Sequence, residues 1–309
     1  MEDYPATSLE LEQRFSTEEA CIEYLESIRW PNGYTCIRCG HTQYWKKSSG
    51  LYECRDCGYK GSVTVGTMFQ DTKKPLVMWF RAIWHVTSQK YGANALGIQR
   101  IMGFGSYRTA WSWLHKLRRA MIRPGRDRLS GTVQVDETLM GGKKPGKRGR
   151  GAEGKQLVLV ASQENGLNKI GRIRLSVIPD ASAASINTAL LSMVEPGSLI
   201  KTDGWTGYLE VDSAGYRHEV IRQSAHVGED MLPACHRVAS LCKRWLLGTL
   251  QGAAGKSNLQ YYLDEYTFRF NRRTSKSRGK LFYRLIQQAV MIEPVLVKDL
   301  KAASKKAEH

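Results

Sequence analysis

Residues 131–142 read GTVQVDETLMGG, and the organisation of the chain follows from them. Val133 and Val135 alternate with Gln134 and Asp136, the two-residue period of a β-strand. The pattern predicts a strand that ends by delivering the carboxylates of Asp136 and Glu137 ahead of the Gly141-Gly142 break. Acids fixed on a strand beside an open loop are good ligands for hard cations, because the scaffold holds their oxygens while the loop side leaves room for a substrate. A lone V-x-V-D-E is better explained as a solvated strand end, so the rest of the chain has to decide.

The bulk composition points to a polyanionic partner. Across 309 residues, 46 Lys and Arg face 29 Asp and Glu, a net charge of +17; a surplus of that size on a chain able to fold favours nucleic acid. A hydrophobic share of 42% supplies ordinary cores for one large domain or two to three smaller ones. No apolar run approaches the roughly 18 residues of a membrane span. The acidic opening MEDYPATSLELEQ lacks the apolar stretch of a secretory signal. The expected location is therefore cytoplasmic and nucleoid-associated, with no membrane partner. Seven cysteines, an odd number, argue against a disulfide framework.

Upstream of the opening strand the chain divides into three segments. Residues 1–33 predict an amphipathic helix, with a cap in Ser16-Thr17-Glu18-Glu19 and Cys21, Ile22, Leu25 and Ile28 on one face. Residues 34–66 carry Cys36-Ile-Arg-Cys39-Gly40 and Cys54-Arg-Asp-Cys57-Gly58, two C-x-x-C-G knuckles among Tyr34, Tyr44, Trp45, Tyr52 and Tyr59. Four paired thiolates make a closed tetrahedral Zn2+ site, structural because no coordination position stays open, and the segment predicts a zinc ribbon. His41 is an alternative ligand. Residues 75–123 turn helical: Leu76, Trp79, Phe80, Ile83, Trp84 and Thr87 form one stripe, Ala95, Ile98 and Ile101 a second, and a third helix follows the Gly103-Phe-Gly105-Ser106 turn. A short helix, a glycine turn and a basic helix are the parts of a helix-turn-helix. Arg108, Lys116, Arg118 and Arg119 are its DNA-contact candidates; a plain helical bundle fits equally well.

Downstream, strand-like stretches at 131–142, 156–163 and 169–178 suit an antiparallel meander. The glycine-rich loop between the first two offers Lys143, Lys144, Lys147, Arg148 and Arg150 to a nucleic-acid backbone. A helix over 181–193, a strand that delivers Asp203, a strand over 218–222 and helical segments over 233–289 complete the order. Three strands, a helix, two more strands and a helix suit an RNase H-like mixed sheet. In that sheet Asp136 and Asp203 would end adjacent strands. The expected architecture is α+β and multidomain, with the RNase H-like domain over 131–290 and a basic tail over 291–309.

Taken together, the two knuckles, GSYRTAWSWLHKLRRAM, VQVDETLMGG, KTDGW and HRVASLCKRWLLGTLQG followed by YLDEYTFRFNRR resemble the bacterial insertion-sequence transposases that join an N-terminal zinc ribbon to an RNase H-like catalytic domain of the DDE type. The resemblance implies that Asp136 and Asp203 are the first two acids holding catalytic Mg2+ or Mn2+, two ions in all. It places the third ligand seven residues before a basic residue. Seven back from Lys243 stands His236, where the family pattern usually has glutamate. Glu229 and Glu265 are the reserve acids, Asp230 and Asp264 stand beside them, and Glu137 should face the other side of the sheet. Lys243 and Arg244 would meet the DNA backbone. The implied partners are the transposon's inverted-repeat ends, target DNA and further copies of the chain. The alternative is a DNA-binding protein without catalysis, either a zinc-ribbon regulator or an inactive, domesticated transposase. Cys235 and Cys242 are read as packing residues.

Overall fold

The computed structural model describes residues 2–141, 155–166, 169–221, 230–251, 258–295 and 300. They fall into two compact units, one drawn from Met1–Gly125 and Ser275–Leu300, the other from Arg126–Thr274.

In the first unit the N-terminal segment forms two helices, α1 (Ser8–Arg14) and α2 (Glu18–Arg29), where one was expected. The reason is local. Thr17 Oγ1 accepts the Ala20 N–H at 3.3 Å and starts a new helix, while Phe15 turns into the core against Tyr24 and Phe80. Three short strands, β1 (Tyr44–Lys46), β2 (Tyr52–Cys54) and β3 (Lys60–Gly61), form an antiparallel sheet that carries the knuckles. Helix α3 (Leu76–Ser88) buries the whole expected stripe. Pro75 offers it no side-chain cap, and Glu18 takes that place by accepting the Leu76 N–H at 2.9 Å. Helices α4 (Ala95–Met102) and α5 (Tyr107–Ala120) follow, with Gly103 at φ 64° closing α4. Ile101, expected on the buried face of α4, is exposed.

The second unit is a five-stranded sheet in the order β6-β5-β4-β7-β8. Its strands are β4 (Thr132–Gly141), β5 (Lys155–Glu164), β6 (Ile170–Ile178), β7 (Leu199–Thr202) and β8 (Arg217–Val220). The first three pair antiparallel, and β4, β7 and β8 run parallel, so β4 is central. This is the RNase H-like mixed sheet expected from the element order. Helix α6 (Ala183–Met193) packs on one face with Val133, Val135, Leu159, Ala161 and Ile200. Helices α7 (Pro233–Leu250) and α8 (Leu259–Phe270) cover the other with Met140, Val158 and Val160. Each face takes alternate residues of the same strands, as strand pleating dictates.

Two further expectations change. Strand β4 does not end at Asp136 and Glu137. It continues to Gly141 because Thr138 to Gly141 keep pairing with β5, as in Thr138↔Val158 and Gly141↔Lys155. The open side arises instead from β7, whose pairing with β4 ends at Gln134↔Lys201. Helix α9 (Arg278–Ala289), expected inside the 131–290 domain, belongs to the first unit and packs on α3. Its Phe282 meets Phe15, Phe80 and Trp84.

The first turn of α9 lies against the N-terminal backbone. A Cβ on Gly279 would fall 1.8 Å from the Pro5 carbonyl oxygen. Gly279→Ala should therefore destabilise the first unit by roughly 1–3 kcal/mol, the usual cost of overpacking a tight site, read as a lower thermal midpoint for that unit; an unchanged midpoint would show that this contact does not hold α9 in place.

Candidate active site and metal centre

Each C-x-x-C turn of the ribbon is shaped by its glycine. Gly40 and Gly58 sit at φ 77° and 64°, and their N–H groups donate to the Cys36 and Cys54 carbonyls. The four sulfurs of Cys36, Cys39, Cys54 and Cys57 lie within 4.8 Å of one another. Cys36 Sγ is 3.7 Å from Cys57 Sγ, and Cys39 Sγ is 3.6 Å from Cys54 Sγ. A tetrahedron with metal–sulfur bonds of about 2.3 Å has edges of about 3.8 Å, so the cage fits zinc. A disulfide would need about 2.05 Å. The four thiols complete the set without His41.

In the second unit a register places the two aspartates. β4 and β7 pair as Thr132↔Leu199, Val133↔Ile200 and Gln134↔Lys201. The same offset carried two residues further would bring Asp203, one residue past the end of β7, level with Asp136, and the Asp203 charge acts on the Asp136 carboxyl. Alternation puts Asp136 on the α7 side with Gln134, Thr138 and Met140. Glu137 takes the α6 side, where it accepts the hydroxyl proton of buried Tyr208 at 2.7 Å. Asp203 is exposed, and its Oδ1 accepts the Trp205 N–H at 3.0 Å. Gly204, at φ 81°, makes the turn, and a side chain there would press Val220 at 2.6 Å.

Helix α7 brings the third residue. His236 Nε2 lies 3.4 Å from Asp136 Oδ2, and His236 Nδ1 lies 2.5 Å from Asp230 Oδ1. Seven residues on, Lys243 Nζ donates to Thr138 Oγ1 at 2.7 Å, so both residues reach back to β4. Among the described residues, the ribbon cysteines are the group whose ligand atoms converge for an ion; Asp136, Asp203 and His236 do not close to that degree. Their donor chemistry nevertheless fits a divalent cation. Two carboxylates lie close enough to repel each other, and an imidazole nitrogen faces one of them while a carboxylate engages its other nitrogen, as is usual for ligating histidines.

A polar chain below the site ties its three elements together. Gln134 Oε1 accepts the Ala234 N–H in the first turn of α7 at 3.0 Å, and Gln134 Nε2 donates to Glu164 at 2.9 Å. Glu164 in turn meets Lys201 Nζ at 3.5 Å. Gln134, Lys201 and Ala234 each stand two residues before Asp136, Asp203 and His236. Nothing in the sequence pattern marks Gln134, Glu164 or Lys201, since their partners lie far along the chain.

Electrostatics single out Asp136. Burial pushes its carboxyl up to about 6, with Glu137 and Asp203 adding repulsion and His236 opposing it. Lys243 is shifted down, by burial first and then by Lys155, against the pull of Asp136.

The other candidates divide. Glu265 is buried and pairs with Arg269 at 2.9 Å, and Asp264 is buried and accepts from Gln260, so neither reaches the site. Cys235 and Cys242 are fully buried packing residues, as expected. Arg118 is 2% exposed and donates to the Ala93 carbonyl, so it supports the fold of α5 and cannot reach DNA as placed. Arg108 and Arg119 are exposed, and Lys116 is half-buried. On α7, Arg244 and Lys243 are exposed together with Arg237, which the sequence did not single out. Lys143, Lys144, Lys147, Arg148, Arg150 and Glu229 lie outside the described residues.

Comparison with known proteins matches residues 128–271 to the ISXO2-like transposase domain and residues 16–60 to the transposase zinc-ribbon domain. A protein of Halobacterium salinarum, described as an uncharacterized protein in transposable element ISH50, is 26% identical over 302 residues, covering 90% of this chain and 98% of that one.

The raised Asp136 carboxyl has a consequence for stability. Its folded-state value lies above the unfolded value, so the fold is favoured while Asp136 is protonated and loses that support as pH rises from about 4 through about 6. In metal-free protein, Asp136→Asn should stabilise the second unit at pH 7, by on the order of 1–3 kcal/mol. The gain should vanish near pH 4. Thermal unfolding at the two pH values measures it, and an equal effect at both would overturn the burial argument.

Proposed function

We propose that this chain, which belongs to the insertion-sequence transposases with a zinc ribbon and an ISXO2-like domain, is a DDE-type enzyme that binds the terminal inverted repeats of its element and carries out metal-dependent DNA cleavage and strand transfer. The observation that carries this reading is His236 Nε2 facing the buried carboxyl of Asp136 at 3.4 Å, with the Asp203 charge acting on that carboxyl from just past the end of β7. The basic surplus and the exposed cations of α5 and α7 support a DNA partner.

Asp136, Asp203 and His236 would hold Mg2+ or Mn2+, two ions in all. Bound there, the ions supply activation of the attacking oxygen and stabilisation of the leaving oxygen. The residues supply the rest. The two aspartates would anchor the cation site beside the opening between β4 and β7, where a phosphodiester has access. Lys243, Arg237 and Arg244 neutralise the flanking phosphates along one helix. Water attack at the element's end breaks one phosphoester bond and frees a 3′-hydroxyl, which then attacks a target phosphodiester, one such bond forming as another breaks. Joining two ends requires at least two copies of the chain, so the protein acts as an oligomer on DNA. The ribbon holds a structural zinc and helps grip the repeat, and the enzyme works in the cytoplasm at the nucleoid.

Imidazole suits magnesium poorly, because magnesium prefers oxygen ligands. Cleavage should accordingly be faster with Mn2+ than with Mg2+, and His236→Glu should narrow that difference; an unchanged metal preference removes His236 from the ligand set. The function itself is tested with a labelled inverted-repeat end, target DNA and Mn2+. Asp136→Ala and Asp203→Ala should each lower cleavage and strand transfer at least 100-fold, on the order of what losing a residue that stabilises the transition state costs. Wild-type cleavage by both variants would overturn the assignment.

A further inference from the structure

We propose that Asp230 is a positioning residue for the metal site: its carboxylate accepts a hydrogen bond from the His236 Nδ1–H and so aims the Nε2 lone pair at the cation held with Asp136. The inference rests on the metal-dependent reading above. It adds a residue that stands in the sequence only as one more acid ahead of α7.

The geometry is specific. Asp230 lies in the segment leading into α7, and its Oδ1 accepts the Leu232 N–H at 3.3 Å, which holds the carboxylate over the first turn of the helix. From there the same oxygen stands 2.5 Å from His236 Nδ1, while His236 Nε2 stands 3.4 Å from Asp136 Oδ2. The imidazole therefore lies between the two acids, and Asp230 is not a third carboxylate converging with Asp136. A neutral imidazole carries one N–H, and an ionised carboxylate only accepts. The shorter contact keeps that proton on Nδ1 and leaves Nε2 as a ligand. The Asp230 and His236 side chains are 48% and 50% exposed. An exposed pair contributes little to stability, so fold maintenance does not account for the contact and variants of Asp230 should fold.

The test uses full-length, zinc-loaded protein and two readouts apart from catalysis. Mn2+ binding is followed by electron paramagnetic resonance. The His236 tautomer is followed in metal-free protein by long-range 1H–15N NMR, with the ring assigned by His236→Gln. Asp230→Ala should weaken Mn2+ binding about 10-fold, the lower range for losing a carboxylate partner of a ligating histidine, and should mix the tautomers. Asp230→Asn keeps an acceptor oxygen and should restore most of both. In a His236→Gln background, Asp230→Ala should change nothing further. Unchanged Mn2+ binding in Asp230→Ala, or a loss that persists without His236, overturns the proposal. Asp136→Ala separates the two levels: if it loses Mn2+ while Asp230→Ala does not, the positioning role alone falls, and if it too binds normally, the metal-site reading falls with it.

Discussion

The parallel pairing of β4 with β7 is the constraint on which the second unit depends. A two-residue side-chain period means that a one-residue slip in register would send Asp203 to the opposite face. The observed offset keeps Lys201 on the face of Gln134, and Asp203 follows two residues later, just past the end of β7. Because β7 pairs no further than Thr202 while β4 continues to Gly141, the two aspartates sit at the mouth of a gap between strands and not at the tip of a loop. A site of this kind combines rigidity on one side with access on the other.

Helix α7 is bound to that sheet at several heights. Cys235, Val238, Cys242 and Trp245 pack into the apolar face, Gln134 accepts from the first turn, and Thr138 accepts from Lys243. These contacts fix which residue of the helix meets Asp136. The polar chain through Glu164 and Lys201 is partly buried, where an unmet hydrogen bond is costly. Its hydrogen bonds add a directional constraint on the helix position to that of the apolar packing.

In the first unit, Glu18 of α2 caps α3, and the aromatic rings of Phe15, Tyr24, Phe80 and Phe282 join segments from both ends of the sequence. α5 lies deep in this packing. Arg118 and His115 are enclosed there, and desolvation pushes His115 down to about 2. The exposed basic surface of α5 is narrower than its composition suggests.

Much of this was legible in the amino-acid sequence. The knuckle spacing specified the four-sulfur cage, the alternation in VQVDE specified a buried strand, and the spacing of His236 and Lys243 specified a shared helix face, because each depends only on residues near one another along the chain. Tertiary structure alone decided the rest. It set where β7 leaves β4, because β7 pairs with β4 only as far as Lys201. It assigned α9 to the first unit, because an amphipathic pattern states that a face is buried but not by which core. It buried Arg118, which composition offers to DNA, and brought Asp230, Gln134 and Lys201 to the site through contacts that no local period encodes. The sequence thus offered Asp136 and Asp203 as candidate acids, while the fold determined what stands behind Asp136.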